Sequence, residues 1–353
     1  MASNDQAHLR ELFREAFRRY GPPTTLPKVD PSTYSNLYNE QNFFPDIYCD
    51  YVDTDELNAM ACIYKGRELV AIFAGLINFI DPYYAAFLTD PRMFHEIGDT
   101  EKDKKAEKLN AMRIEYLKEY PTLRAAPLSL CPVRSRAIIR VIECGLLFLH
   151  THEVAHIILG HVDLLKNEFG ISTYEELPIE SLTEEEYNLR RALELQADQS
   201  AALTSLYLFR KHISRHSENG EFKNADILWS IAVESLFVLF ELVMIKKGIS
   251  RSKTHPSPFA RWLNVKVNVL EQAEEHGIKR LQLPKKGESA INQVRNWLTK
   301  NGLADGKTLF PGNEADTTMD ELFSTWEYIK PYEGRLEQYR ANRGNRAQNR
   351  VPL

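Results

Sequence analysis

The most constraining feature of this chain is a pair of histidines four residues apart inside a long, mainly apolar run. His152 and His156 enclose Glu153 in the pattern HExxH, within the run at 144–161. Side chains at i and i+4 of a helix project from one face, so both imidazoles can reach one Zn²⁺ at roughly 2.0–2.1 Å. The Glu153 carboxylate can then act as a general base toward a water at the metal. The pattern therefore predicts a buried helix with a zinc site.

A zinc peptidase needs a third protein ligand and one open coordination position. The metzincin pattern requires a histidine six residues after His156, where the chain has Val162, so that class is excluded. His161 comes one residue early and is interpreted as a helix-end or pocket residue. Glu194 and Asp198 lie four apart in a second predicted helix with largely apolar neighbours. Two buried carboxylates need a compensating cation, so we expect Glu194 to bind zinc and Asp198 to accept a hydrogen bond from a ligand histidine.

Two simpler interpretations of these helices stay open. The first helix can be a buried core helix whose histidines are incidental. The second can be an amphipathic helix on which Glu194 and Asp198 are solvated beside Arg190 and Arg191. A metal site accounts for both helices together, because one cation compensates the buried carboxylates and binds the histidines.

Four segments give the chain a resemblance to a known family. Two are the HExxH motif and the Glu-x-x-Ala-Asp motif that begins at Glu194. A third runs from the Asn-Ala-Met-Ala that begins at Asn58 to the Gly-Leu at Gly75; the fourth is Thr-His-Pro around His255, with Arg261 six residues later. Together they resemble the gluzincin zinc metallopeptidases of the HtpX and CAAX-prenyl-protease group. A looser similarity is to the Lit-type phage-exclusion peptidases.

The resemblance implies one Zn²⁺ per chain, with the fourth coordination position open to water. It implies that Glu153 is the general base and that His255 donates a hydrogen bond to the oxyanion. Arg261 is expected to support the site by pairing with Asp198. The metal ligands that the resemblance implies are His152, His156 and Glu194.

The resemblance also places a strand at residues 68–75 along the active-site cleft. The strand mixes β-branched and small residues, and its final glycine allows close backbone approach. We expect it to lie nearest the zinc helix, with a free edge to which a protein or peptide substrate adds as an extended strand. The alternative is a strand paired on both sides in the core. The expected substrate-binding residues are Asn58, Ile72, Phe73, Ala74 and Gly75.

Composition and charge exclude several other classes of protein. The 353 residues are 43% apolar and 26% charged, which is ordinary for a folded soluble protein, and the net charge of −5 argues against nucleic acid as the main partner. The four cysteines are scattered without a CxxC pair, which indicates thiols in a reducing cytoplasm. The longest apolar stretch, 227–245, contains Glu234 and Glu241 and is predicted to be a core helix rather than a membrane span. The N-terminus lacks the pattern of a signal peptide.

The predicted fold is α+β and predominantly helical, with a zincin-like (gluzincin) core and a small antiparallel sheet within 47–76. Residues 1–46 are expected to form a helix and an irregular arm, and residues 47–275 the metallopeptidase domain, with a helical insertion at about 90–120. The charged run in that insertion, which includes Asp103, is predicted to be a solvated face. A helical C-terminal cap is expected at 276–340, followed by a disordered tail at 341–353.

The sequence thus predicts a zinc-dependent endopeptidase that cleaves an intracellular protein, for regulation, phage defence or protein quality control. The alternative is a binding or scaffold protein that zinc stabilises and that has no turnover. Glu153 distinguishes the two, because a scaffold has no use for a base beside the metal.

Overall fold

The structure is a computed structural model that describes residues 2–20, 44, 46–104, 129–171, 173–175, 183–216, 225–246, 255–275, 290–305 and 314–348. Within these residues a small sheet packs among α-helices, so the α+β, predominantly helical class is confirmed. The strands are β1 (Ile47–Val52), β2 (Ala59–Tyr64), β3 (Arg67–Phe73) and β4 (Thr173–Glu175). The helices are α1 (Ala2–Ala16), α2 (Ala74–Leu88), α3 (Thr100–Lys104), α4 (Pro132–Ile158), α5 (His161–Phe169), α6 (Glu184–His216), α7 (Ala225–Lys246), α8 (Pro258–Glu275), α9 (Ala290–Lys300), α10 (Glu314–Glu327) and α11 (Glu333–Gln348), with a 3₁₀ turn at Lys330–Tyr332.

The sheet has the strand order β1-β3-β2-β4. β2 pairs antiparallel with both β3 and β4, but β1 pairs parallel with β3. The prediction of an antiparallel sheet is therefore wrong for β1. The predicted turn between β2 and β3 is confirmed: Lys65 and Gly66 both have positive φ, 47° and 76°, as a two-residue hairpin turn requires. β1 lies on the far side of β3 from this hairpin and runs in the same direction as β3.

Helix α4 occupies the centre of the molecule. It packs against α2, α6 and α7, and against β2 and β3, with β2 the more extensively contacted strand. Cys131 is its N-cap, and Pro132 follows in the first turn, where the missing N–H of proline has no cost. Among the described helices, α4 alone is long and apolar enough to cross a membrane, and 89% of its most apolar window is buried inside the protein.

Most of the predicted helices are present, and the N-terminal one packs on the sheet. On α1, Leu12 and Phe13 are buried, and Phe17 just after the helix is buried as well. Helix α9 packs against α7, and α10 packs against α8. The irregular arm lies outside the described residues except for its last few positions.

Two sequence predictions about charged segments need correction. Asp103, predicted to be on a solvated face, is buried and pairs with Arg134. The described part of the insertion consists of turns followed by the short helix α3. Residues 105–128 lie outside the described residues. The tail is helical through Gln348, and Arg343 pairs with the buried Glu68 at 3.1 Å, so disorder from residue 341 onward is wrong as far as α11 extends.

Candidate metal centre

Two helices bring the predicted metal ligands together. His152 and His156 lie one turn apart on α4, and Glu194 reaches them from α6. The two histidine Nε2 atoms are 3.0 Å apart. Glu194 places Oε2 3.3 Å from Nε2 of His152 and Oε1 3.5 Å from Nε2 of His156. All three side chains are completely or almost completely buried, and within the described residues they form the only group of this kind that could hold a metal ion.

The spacing of these atoms fits a tetrahedral metal ion. Ligand bonds of about 2.0–2.1 Å at tetrahedral angles separate neighbouring ligand atoms by about 3.3–3.4 Å. The three measured separations lie on either side of that value. In addition, neither oxygen of Glu194 accepts a hydrogen bond from a described residue, although the carboxylate is fully buried. A buried carboxylate without donors is costly, and a cation between the three side chains removes that cost.

An ion pair behind the ligands holds His152 in place. Asp198, one turn after Glu194 on α6, places Oδ1 3.0 Å from Nδ1 of His152. Arg261 of α8 forms a bidentate pair with Asp198, at 2.7 and 2.9 Å, and also contacts Glu194 at 3.3 Å. Nδ1 of His152 therefore lies beside Asp198, and its Nε2 atom faces the centre of the cluster.

His255 approaches the cluster from the N-terminal side of α8. Its Nε2 atom lies 3.4 Å from Oε2 of Glu194, and the side chain is 9% exposed, more than the three proposed ligands. It is outside the group of mutually close ligand atoms. The structure thus places His255 at the rim of the candidate metal centre, in contact with a proposed ligand rather than among the ligands.

Charge controls the protonation of these side chains. Burial acts to lower the pKa of His152, but Glu194 and Asp198 outweigh it and raise this pKa well above the usual value. For Glu194, burial acts to raise the pKa, but the positive charges of His255, His152 and Arg261 lower it well below the usual value. Burial lowers the pKa of His156 well below the usual value. The positive charges of His255, His152 and Arg261 therefore compensate the Glu194 carboxylate together.

A further histidine, beyond the predicted ligands, lies behind His156. His161 places Nδ1 3.0 Å from Nδ1 of His156, and its Nε2 is 2.8 Å from Oε1 of Gln196. Burial lowers the pKa of His161 to about 3, so its imidazole is neutral at neutral pH. The ring of His161 is on the side of His156 away from Glu194, which excludes it from the metal ligands. The sequence analysis interpreted His161 as a helix-end or pocket residue and did not single out Gln196.

The predicted substrate-binding residues do not form a free strand edge. β3 pairs with β1 on one side and β2 on the other, so the predicted edge strand is wrong. Ile72 and Phe73 are buried at its end, and Ala74 and Gly75 already belong to α2. A Cβ on Gly75 would lie 2.3 Å from the carbonyl oxygen of Asp55, so the glycine allows close approach of the preceding loop, not of a substrate. Asn58 is buried just before β2, and its Oδ1 accepts a hydrogen bond from N–H of Ala59.

No protein-family model, no curated protein and no solved structure matches this chain. What the site can do therefore has to be argued from its own residues. The structure brings together six side chains that span more than a hundred residues of sequence: His152, His156, Glu194, Asp198 and Arg261, which lie on three helices, and His255, which lies just before α8.

Proposed function

We propose that the protein is a zinc-dependent endopeptidase of the gluzincin type, with His152, His156 and Glu194 as the metal ligands. The observation that carries the proposal is the convergence of two imidazole nitrogens and one carboxylate, all buried, at separations of 3.0–3.5 Å. Two nitrogens and one oxygen with a position left open are the ligand set of zinc hydrolases. Calcium and magnesium prefer sites built from oxygen alone.

Glu153 is the residue we assign as general base. It directly follows a ligand histidine, and its side chain is 1% exposed, so solvent does not weaken its interaction with a proton at the site. Zinc, when bound, supplies a Lewis acid that polarises a carbonyl and lowers the pKa of water. Glu153 takes the proton of the attacking water and passes it to the leaving amine. His255, at the rim, is placed to donate a hydrogen bond to the oxyanion.

The substrate we propose is a protein segment bound in an extended conformation. The inner strand β3 cannot accept it, because both of its edges are paired. β2 contacts α4, and its described partner β4 covers only Met60, Ala61 and Cys62 on that side. We therefore place strand addition on the side of β2 away from β3, beyond the three residues that β4 covers. The four cysteines are free thiols, which fits the cytoplasmic location that we propose.

The experiment compares the new protein N-termini in cells that express wild-type protein or Glu153→Gln. The variant removes the base and keeps all three ligands, so it should bind zinc as wild type does and produce none of the wild-type cleavages. Glu143→Gln is the matched control, since Glu143 is on the same helix and pairs with Arg140, away from the site. If wild type and Glu153→Gln give the same N-termini while both bind zinc, the protein is a zinc-stabilised scaffold and the proposed activity is wrong.

A further inference from the structure

The turn between α4 and α5 brings His161 back toward the metal centre. Gly160 separates the two helices and has φ of 82°, a left-handed conformation that glycine adopts without strain. A Cβ at this position would also lie 3.0 Å from Cβ of Tyr339 on α11. Arg340, also on α11, donates a hydrogen bond to the carbonyl of Leu159 at 3.1 Å. The turn is therefore shaped by glycine and braced by the C-terminal helix.

The turn changes what His161 can contact. On an unbroken α-helix, residues five apart point about 140° away from each other, so His161 could not meet His156. With the turn at Gly160, the two Nδ1 atoms are 3.0 Å apart, and both rings are completely buried. One of the two nitrogens must carry the proton that joins them, and the other must accept it.

Gln196 decides which nitrogen carries that proton. It lies on the face of α6 that also presents Leu189 and Leu193, and these leucines pack with residues of α5. Its Oε1 atom is an acceptor, so Nε2 of His161, 2.8 Å away, is the donor. In a neutral imidazole only one nitrogen has a proton, which makes Nδ1 of His161 the acceptor and Nδ1 of His156 the donor. The Nε2 atom of His156 is then left with its lone pair toward Glu194.

We propose that His161, held by Gln196, is a positioning residue that orients His156 for metal binding and keeps its Nε2 atom unprotonated. The inference rests on the proposed metal site. In this arrangement each ligand histidine has an acceptor beside its Nδ1 atom, which is the nitrogen that does not face the metal. The acceptor is Asp198 for His152 and His161 for His156. Partners of this kind set both the ring orientation and the basicity of a metal-binding histidine.

Three variants test the role by zinc affinity, measured in competition with a chromophoric chelator. His161→Leu removes the acceptor and should weaken zinc binding by about 10–100-fold. His161→Asn keeps an acceptor oxygen at the same number of bonds from the backbone as Nδ1, so it should bind within about 3-fold of wild type. Gln196→Leu removes only the hydrogen bond to Nε2 of His161 and should weaken zinc binding by about 3–10-fold. The absorption spectrum of the cobalt-loaded protein should change with the leucine variants and not with His161→Asn.

Two control variants exclude a general effect of losing a buried polar side chain. Gln199→Leu removes a hydrogen bond to Asn264 from the same helix, and His212→Leu removes a largely buried histidine near Arg140. Both should bind zinc as wild type does.

The outcomes separate this inference from the proposed function. If wild type binds zinc and both His161→Leu and Gln196→Leu bind it equally well, His161 has no positioning role although the metal site stands. If His161→Asn is as weak as His161→Leu, the histidine acts through its shape and the acceptor role is wrong. If His161→Leu does not fold, the zinc affinities of Gln196→Leu and Gln199→Leu are compared instead. Equal zinc affinity of these two variants overturns the inference. If wild type binds no zinc, the proposed function fails first.

Discussion

Helix α4 carries a cluster of buried charge near each end, and the two clusters are built in opposite ways. Near the N-terminus, the guanidinium of Arg134 and the carboxylate of Asp103 are both 1% exposed and pair at 2.8 Å. Asp103 also accepts hydrogen bonds from Ser129 and from N–H of Leu130. The remaining donors of Arg134 are directed to the carbonyl groups of Leu88, Asp90, Met93, Phe94 and Ile97.

The cluster near the C-terminus instead directs one carboxylate and two imidazole nitrogens toward a common point. Glu194 and the Nε2 atoms of His152 and His156 converge, and Glu194 receives no hydrogen bond from the described residues. The Arg134 cluster is complete as it stands, so it has a structural role. The His152 cluster has a set of side chains that could hold a cation, and this difference is why we propose the metal site there and not at Arg134.

The largest expected effect is the loss of the carboxylate of the complete cluster. Asp103→Ala leaves the guanidinium of Arg134 buried without its counter-charge, which should lower the free energy of unfolding by about 3–5 kcal/mol. Glu101→Ala is the matched control, because Glu101 lies on the same short helix in an exposed pair with Lys104 and should cost less than about 0.5 kcal/mol. Denaturant unfolding checks both. A loss for Asp103→Ala that zinc reverses would contradict the contrast between the clusters.

Removal of Arg261 should have an effect that zinc partly reverses. Arg261→Leu leaves Asp198 and Glu194 buried with less positive charge, so the zinc-free protein should lose about 3 kcal/mol or more of unfolding free energy. Saturating zinc compensates the carboxylates, and the loss should then be smaller. Arg295→Leu, which breaks a buried pair with Glu241, should show the same loss with and without zinc. Equal losses for Arg261→Leu under both conditions would count against a metal beside Glu194.

Zinc affinity should depend on pH in a direction that the pKa of His152 sets. Because this pKa is raised well above its usual value, His152 is protonated in the metal-free protein near neutral pH. Zinc must displace that proton, so binding should weaken about tenfold for each unit by which pH is lowered, and strengthen as pH rises. Chelator competition at about pH 6.5 and 7.5 measures the change. Asp198→Asn should flatten the dependence, since Asp198 helps to raise this pKa; an unchanged affinity in wild type would rule out proton displacement.

The smallest effect is expected at the junction of β3 and α2, away from both clusters. Ala74 is the first residue of α2, and Phe73 before it is extended, with φ −83° and ψ 137°. Proline is accepted at the first helical position, and its predecessor prefers the extended conformation, so Ala74→Pro should change stability by less than about 1 kcal/mol. Ala86→Pro, inside the same helix, should cost about 3 kcal/mol or more. Comparable losses for the two variants would show that α2 does not begin at Ala74.

Short-range patterns predicted the candidate metal centre well. Residues i and i+4 share a helix face whatever the tertiary structure, so HExxH and the Glu194–Asp198 pair each specify one side of the site. Burial of two carboxylates in an apolar helix then requires a partner of positive charge. The family resemblance, and not this pattern, gave the expectation that Arg261 pairs with Asp198. These patterns therefore predicted that His152, His156 and Glu194 lie close together, as the structure has them. Zinc binding itself stays a prediction.

What the sequence did not predict depends on long-range pairing or on backbone turns. The burial of Asp103 was missed because its partner, Arg134, lies 31 residues later and a charged run ordinarily faces solvent. β3 was expected at an edge because the alternation of apolar and polar residues along a strand does not reveal the order of strands in the sheet. β1 pairs with β3 directly, and the sequence between them does not predict this pairing. The contact between His156 and His161 requires the left-handed turn at Gly160, without which the spacing of five predicts separate faces.

The most direct test is zinc content per chain in wild type and Glu194→Gln. Each purified protein is equilibrated with excess zinc, desalted and measured by mass spectrometry of the metal, with Glu143→Gln as the matched control on α4. Wild type and Glu143→Gln should hold about one zinc per chain, and Glu194→Gln should lose most of it because one of three protein ligands is gone. A wild-type protein without zinc, or a Glu194→Gln variant that holds zinc as tightly as wild type, would contradict the proposed metal centre.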